Sequence, residues 1–286
     1  MPAHPFVRPD ERVAATALAM LLTITACTTA PVRVDGDAAG VAGAERAFAS
    51  AARTSGVRNA FLGVLAADAT LFRPGPVDGR SFMRTQPEAS YRLEWEPRRV
   101  AVDRAGDLGL STGPYRLTPQ AKPGQPLFGQ FLTVWKRGPL DRWEVLIDLG
   151  IAEPAPTAAG PLEVIAPDHG PAPLRTIAAA EAAFARRSSA EGLVAAYRAD
   201  GSTRLRLLRD GFAPVADLAE LPDASSRWTW TMTDHGVARD GDLAWVMGRY
   251  RSATSATGYY VRVWSAERGD WKILADVVAP GDEAAP

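Results

Sequence analysis

The stretch VDRAGDLGLSTGPYR, Val102–Arg116, returns in the second half of the chain as VARDGDLAWVMGRYR, Val237–Arg251. On its own, the pairing of Gly113-Pro114-Tyr115-Arg116 with Gly248-Arg249-Tyr250-Arg251 would be a cheap coincidence. Its surroundings make it more than that. Upstream, AERAFASA (Ala44–Ala51) matches AEAAFARR (Ala180–Arg187), and LEWEP (Leu93–Pro97) matches WTWTM (Trp228–Met232). Downstream, Val134-Trp135 matches Val263-Trp264, and DRWEVLIDLG (Asp141–Gly150) matches GDWKILADVV (Gly269–Val278). Matches in one order over this length point to two copies of one domain rather than a short-period solenoid.

Between the copies lies IAEPAPTAAGPLEVIAPDHGPAPL, Ile151–Leu174. Proline at this density removes backbone donors and disfavours both helix and ladder pairing, so the stretch reads as a linker or strap. In the first copy Val41, Ala44, Phe48, Ala51 and Ala52 keep helical spacing, and Phe61, Leu62 and Leu65 continue on a second short helix. Ile177, Ala180 and Phe184, then Leu193, Val194 and Tyr197, repeat this in the second copy. The period then changes to two, with Tyr91, Leu93 and Trp95 alternating with Arg92, Glu94 and Glu96. Arg104–Asp107 and Arg239–Asp242 read as hairpin turns, with Gly or Asp available for positive φ. Phe128–Arg137 and Arg142–Gly150 read as later strands. Helices followed by antiparallel strands make an α+β layout, expected here as two tandem cone-shaped domains. The later strands are apolar on both faces, Phe131 and Trp135 alternating with Leu132 and Val134. Both faces are therefore expected to be covered, one by helices and the other by the second copy's sheet.

The amino end reads as an export signal. Arg8 and Arg12 precede an uncharged run, Val13–Ala26, long enough for a signal-peptide core and too short for a stable membrane span. It ends in ITAC, with small Thr25 and Ala26 before Cys27, the only cysteine. This resembles the lipobox of bacterial lipoproteins, which implies cleavage before Cys27 and lipid on that residue; an ordinary secretory signal with an incidental cysteine is the alternative. Several acyl chains at one terminus would hold the protein at a membrane, where one chain binds only marginally. The expected organisation is a signal peptide over 1–26, a tether over 27–40, domains over 41–150 and 175–280, a linker over 151–174 and a tail over 281–286. The formal net charge is −1. Removing 1–26 takes away Arg8, Arg12, Asp10 and Glu11 and leaves that balance unchanged. Without a basic cluster, nucleic-acid binding is not expected. With Cys27 lipidated no disulfide can form, so stability must come from buried apolar surface.

The order AERAF…AFLGVLAADATLF (Ala44–Phe72), then VDGRSFM (Val77–Met83), then strands ending VWKR…RWEVLIDLG resembles the nuclear transport factor 2-like, SnoaL-like superfamily. The resemblance covers 41–150 and, in a divergent form, 175–280. It implies an N-terminal helical lid on a curved antiparallel sheet, closed into a cone with a pocket inside. The second copy departs from this in Leu207–Ser226, which lacks the small helix signal of Gly79–Arg84, so its pocket is expected to be altered or filled. The superfamily includes isomerases, dehydratases, cyclases, ligand binders and scaffolds, and the fold alone names no activity.

Candidate chemistry is sparse. GLSTG, Gly109–Gly113, fits the Gly-x-Ser-x-Gly pattern, but Ser111 sits mid-strand before Pro114 rather than at a strand-to-helix elbow. His4, His169 and His235 lack ligand spacing, and there is no phosphate-binding GK[ST] loop, so no metal or cofactor is expected. Asp148 and Asp276 occupy equivalent places on the last strand of each copy. An acid among apolar neighbours can carry a raised pKa and move a proton. The resemblance implies a nearby tyrosine or histidine as its partner, with Tyr115, Tyr91, Tyr250 and His235 as candidates. Against this, both aspartates can cap a strand end or face the contact between copies. Arg116 and Arg251, beside Tyr115 and Tyr250, are candidates for an anionic ligand, or simply outward-facing strand arginines. Glu45 and Glu181 read as solvated or paired helix-face charges. Trp95, Trp135, Trp143, Trp230, Trp264 and Trp271 recur by repeat position and read as packing residues. Three functions follow: a lipid-anchored envelope protein binding a small apolar or amphipathic molecule, an isomerase or dehydratase using a pocket Asp with Tyr, or an interaction module with filled pockets.

Overall fold

The computed structural model describes residues 38–158, 160–166, 171–222 and 225–281. Cys27, His4 and His169 lie outside the described residues. The first half runs α1 (Ala38–Ser55), α2 (Val57–Val64), β1 (Leu65–Phe72), β2 (Pro76–Asp78), α3 (Gly79–Thr85), β3 (Tyr91–Trp95), β4 (Arg99–Val102), β5 (Leu108–Pro119), β6 (Leu127–Arg137) and β7 (Trp143–Glu153). A short β8 (Glu163–Ile165) follows. The second half runs α4 (Ile177–Glu191), α5 (Leu193–Asp200), β9 (Gly201–Arg209), a single 3₁₀ turn at Leu218–Glu220, β10 (Thr229–Val237), β11 (Leu243–Arg251), β12 (Thr257–Glu267) and β13 (Asp270–Pro280). The fold is α+β. In each half two helices precede a curved sheet.

The two sheets share a wiring. The first is eight-stranded in the order β2-β1-β7-β6-β5-β4-β8, with β3 also on β5; the second is five-stranded in the order β10-β11-β12-β13-β9. The strand after the helices lies parallel to the last strand in both, β1 on β7 and β9 on β13. Where β10 runs on through a bulge after Met232, the first half is cut into β3 and β4 by Glu96-Pro97-Arg98, because proline cannot donate to the ladder. The quoted repeat folds as the turn and strand it predicts. Gly106 and Gly241 turn the hairpins at φ 68 and 71. A Cβ on Gly113 would stand 2.2 Å from the Glu96 carbonyl oxygen, and one on Gly248 the same distance from that of Thr231. Close backbone approach is therefore what requires glycine at both places.

The linker departs from expectation in one place. Glu163, Val164 and Ile165 pair in parallel with Arg99, Val100 and Ala101. Proline stands on either side of this triplet, at Pro161 and Pro167, so its own backbone donors are free to form a ladder at the sheet edge.

Both faces of the first sheet are covered. On one side Val41, Phe48, Ala52 and Phe61 of the helices pack with Trp95, Trp135 and Val145. On the other, Leu110, Leu132, Val134, Ile147 and Leu149 share one buried cluster with Val261, Val263, Leu274 and Val277 of the second sheet. One set of polar contacts between the halves is reciprocal. Arg104 donates from Nε to Asp242 Oδ2 at 3.0 Å and from its backbone N–H at 3.1 Å. Arg239 pairs with Asp107 Oδ2 at 3.6 Å, and its backbone N–H donates to Asp107 Oδ1 at 3.3 Å. Arg104 and Arg239, like Asp107 and Asp242, hold the same places in the repeat.

Candidate functional site

In the first half the helices do not close completely over the sheet. A cavity of about 340 Å³ remains, lined by Phe48, Phe61, Phe72, Arg73, Pro74, Tyr91, Leu93, Trp95, Tyr115, Leu117, Phe131, Asp148 and Gly150. Its wall is mostly aromatic and its charged groups are Asp148 and Arg73. The rim is formed by exposed Arg73 and Pro74 with half-buried Tyr91, Leu93 and Leu117. Two more voluminous clefts, about 560 and 480 Å³, are lined by polar turn residues and by the proline-rich segment respectively, and neither carries the aromatic wall of this cavity.

Asp148 projects into this cavity from β7 because it opposes Thr133 on β6, on the helix-facing side of the strand. Arg73 Nη2 lies 3.3 Å from its Oδ1, and Thr133 Oγ1 donates to its Oδ2 at 3.4 Å. Burial raises the Asp148 pKa, opposed by the Arg73 charge and by the hydrogen bonds from Arg73 and Thr133. Burial likewise pushes the Tyr115 hydroxyl up. Asp148, Tyr115 and Tyr91 are thus brought together. The partners of the Asp148 carboxylate, however, are Arg73 and Thr133, and neither tyrosine hydrogen-bonds to it.

Behind the aromatic wall sits Glu45, which corrects the expectation of a solvated helix charge. It is fully buried and accepts from Trp95 Nε1 at 2.6 Å, Ser111 Oγ at 2.5 Å and Trp135 Nε1 at 3.1 Å. Ser111 is a hydrogen-bond donor inside the sheet and not a nucleophile. Burial raises the Glu45 pKa to about 7, with three donors pulling it down and the Asp148 charge adding to the rise. Glu45 lies four residues after Val41 and three before Phe48, in phase with the buried stripe. That phase is the sequence signal for its burial.

The second half has the same frame, with a buried arginine inside it. Glu181, Phe184, Trp230, Tyr260 and Asp276 stand where the first half has Glu45, Phe48, Trp95, Phe131 and Asp148. Where Thr133 opposes Asp148, Arg262 opposes Asp276. The Arg262 guanidinium is fully buried, bonded to Glu181 Oε1 at 2.5 Å and Asp276 Oδ2 at 2.8 Å. It lies 3.9, 4.6 and 4.8 Å from the ring centroids of Phe184, Trp230 and Tyr260. Although burial opposes its charge, Asp276 and Glu181 outweigh that and hold its pKa above the ordinary arginine value. Tyr197 donates to Asp276 at 2.6 Å and accepts from Arg209 Nη2 at 2.6 Å. Trp228, in the place of Leu93, stacks on Tyr250 with centroids 4.7 Å apart.

Several candidates therefore stand elsewhere. Asp276 and Tyr250 are parts of this filled interior, so neither has a cavity to act in. His235 is exposed on β10, opposite Val246. Arg116 and Arg251 are exposed strand residues outside the cavity lining, because they follow the inward-facing Tyr115 and Tyr250 by one residue. The tryptophans singled out by repeat position are all buried. Arg73, Thr133 and Arg262 were not legible as site residues: their partners come from distant strands. Among the described residues no group of His, Cys, Asp and Glu is placed to hold a metal ion.

No protein-family model matches this chain, and no curated protein matches it. Solved structures that resemble about two-fifths of it include NTF2-like and ketosteroid isomerase-like proteins. An NTF2-like protein of unknown function from Shewanella oneidensis MR-1 shares 12% identity over 39% of this chain and 96% of its own, with a TM-score of 0.32. A ketosteroid isomerase-like protein from Erwinia carotovora atroseptica SCRI1043 shares 14% over 40% of this chain and 95% of its own, with a TM-score of 0.33. An NTF2-like protein of unknown function from Pseudomonas putida KT2440 shares 18% over 41% and 88%, with a TM-score of 0.32.

Proposed function

We propose that this is an exported, lipid-anchored envelope protein whose first half binds a small apolar or amphipathic molecule, while its second half packs against the first as an internal pseudo-dimer. The observation carrying the binding reading is the contrast between halves: about 340 Å³ of aromatic-lined space in one, and side chains occupying the equivalent positions in the other. That volume lies in the range of small-molecule sites, which are mostly apolar with a few converging polar groups. The pseudo-dimer reading, with domains over 41–150 and 175–280, draws support from the reciprocal Arg104–Asp242 and Arg239–Asp107 contacts. A two-fold interface pairs residue i with j and j with i in just this way.

Native mass spectrometry of protein purified from its own host is expected to show a retained small molecule. Leu93→Trp, which imports the second half's Trp228, is expected to abolish that retention while leaving the fold intact. Equal retention by wild type and Leu93→Trp would remove this cavity as the site. For the anchor, residues 1–26 are expected to be lost and Cys27 to carry acyl chains. Mass analysis of the mature amino terminus checks this, and a chain with Cys27 unmodified sinks the tether.

A second reading, an isomerase or dehydratase, is favoured by one observation: Asp148 lines the cavity with a raised pKa. Its ion pair with Arg73 favours the charged carboxylate, which supports binding over proton transfer. Turnover of an enolisable ketone or hydrated substrate that disappears in Asp148→Asn would reverse that preference.

A further inference from the structure

The second half describes what the first-half cavity lacks. Its interior holds two carboxylates, Glu181 and Asp276, with two guanidiniums, Arg209 and Arg262. The first half keeps both carboxylates, Glu45 and Asp148, and keeps Arg73, whose Nη1 donates to the Phe72 carbonyl as Arg209 Nη1 does to that of Leu208. It has Thr133 in place of Arg262. The first half therefore carries one guanidinium fewer than the second. The aromatic rings that surround the Arg262 guanidinium also have counterparts, Phe48, Trp95 and Phe131, and all three line the cavity. A buried cation over aromatic faces is attracted by their quadrupoles, most strongly when desolvated. The existing Arg73–Asp148 pair does not occupy this role. In the second half the same carboxylate serves Arg209 at 3.6 Å and Arg262 at 2.8 Å together.

Resting on the reading of this cavity as a ligand site, we propose that its ligand is an amphipathic organic cation. A guanidinium or ammonium head sits between Asp148 and the Phe48–Trp95–Phe131 rings, and a small apolar body extends toward Leu93 and Leu117. The head takes the role that Arg262 has in the second half. Thr133, opposite Asp148, lacks the guanidinium that Arg262 brings to Asp276.

The test uses the intact protein and three probes of matched size, benzylguanidinium, neutral benzylurea and anionic phenylacetate, followed by titration calorimetry. Benzylguanidinium is expected to bind at least tenfold more tightly than benzylurea, with phenylacetate weakest. Asp148→Asn is expected to erase the preference for the cation. Thr133→Arg, which supplies the charge internally, is expected to abolish cation binding and covers the case in which Asp148→Asn does not fold. Equal binding of benzylurea and benzylguanidinium would leave the cavity as a ligand site and overturn the charge assignment. Binding of none of the three, with Leu93→Trp indistinguishable from wild type, would overturn both.

Discussion

Replacing Arg262 with alanine is expected to destabilise the protein by about 3–5 kcal/mol, the range for removing one partner of a buried ion pair. The argument rests on what remains after truncation. Glu181 and Asp276, both buried, lose their bonds to the guanidinium at 2.5 and 2.8 Å, and Arg209 at 3.6 Å is the cation left near Asp276. The aromatic rings of Phe184, Trp230 and Tyr260 lose a packed neighbour, so a cavity is added to the electrostatic loss. Urea denaturation followed by tryptophan fluorescence measures the change. The companion variant Thr133→Arg adds a cation opposite Asp148 and is expected to cost less. A loss below about 1 kcal/mol for Arg262→Ala, typical of exposed ion pairs, would show that the buried network is dispensable.

Stability is also expected to fall as pH rises from 5 to 8, with Glu45 as a principal cause. Burial raises its pKa to about 7 in the folded protein, against 4.5 for an unperturbed glutamate. Below the lower value both states are protonated and the difference is fully present. Between the two values the unfolded chain ionises while the folded one does not, so folding loses about 1.4 kcal/mol per pH unit. Above about 7 both are ionised and the loss, about 3 kcal/mol in all, is complete. Asp103, which burial also raises to about 7, contributes in the same direction and would remain in a Glu45 variant. The measurement is therefore a difference: denaturation free energies at pH 5 and pH 8 for wild type and Glu45→Gln. The variant is expected to show a shallower dependence. Parallel profiles would mean that Glu45 is ionised throughout and that its three donors outweigh its burial.

The secondary structure was legible because it is set locally. Helical spacing around Phe48 and Phe184, the alternation in Tyr91–Trp95 and the Gly-Asp turns all specify their elements within a few residues. The two-sided burial of the later strands was legible for a related reason. Leu132 and Val134 are apolar on the face opposite Phe131 and Trp135, and an apolar face requires a cover. The cavity was not legible in the same way. Phe48, Leu93, Tyr115 and Asp148 come from α1, β3, β5 and β7, and only strand register makes them neighbours. The burial of Glu45 and Glu181 lay between the two cases. They read as solvated or paired helix-face charges, and the indole, hydroxyl and guanidinium partners that offset the cost of their burial come from distant strands.

Helical spacing, alternation and turn residues in each half determined by themselves two runs of helices followed by strands, and the divergence of Leu207–Ser226 marked the second interior as altered or filled. Only the tertiary structure decided what that alteration is. Thr133 and Arg262 look like a minor difference on a strand, yet each sits opposite the buried aspartate of its sheet, because strand register and not local sequence makes them neighbours. There threonine leaves the aspartate to line a cavity, and arginine sets a buried guanidinium against it.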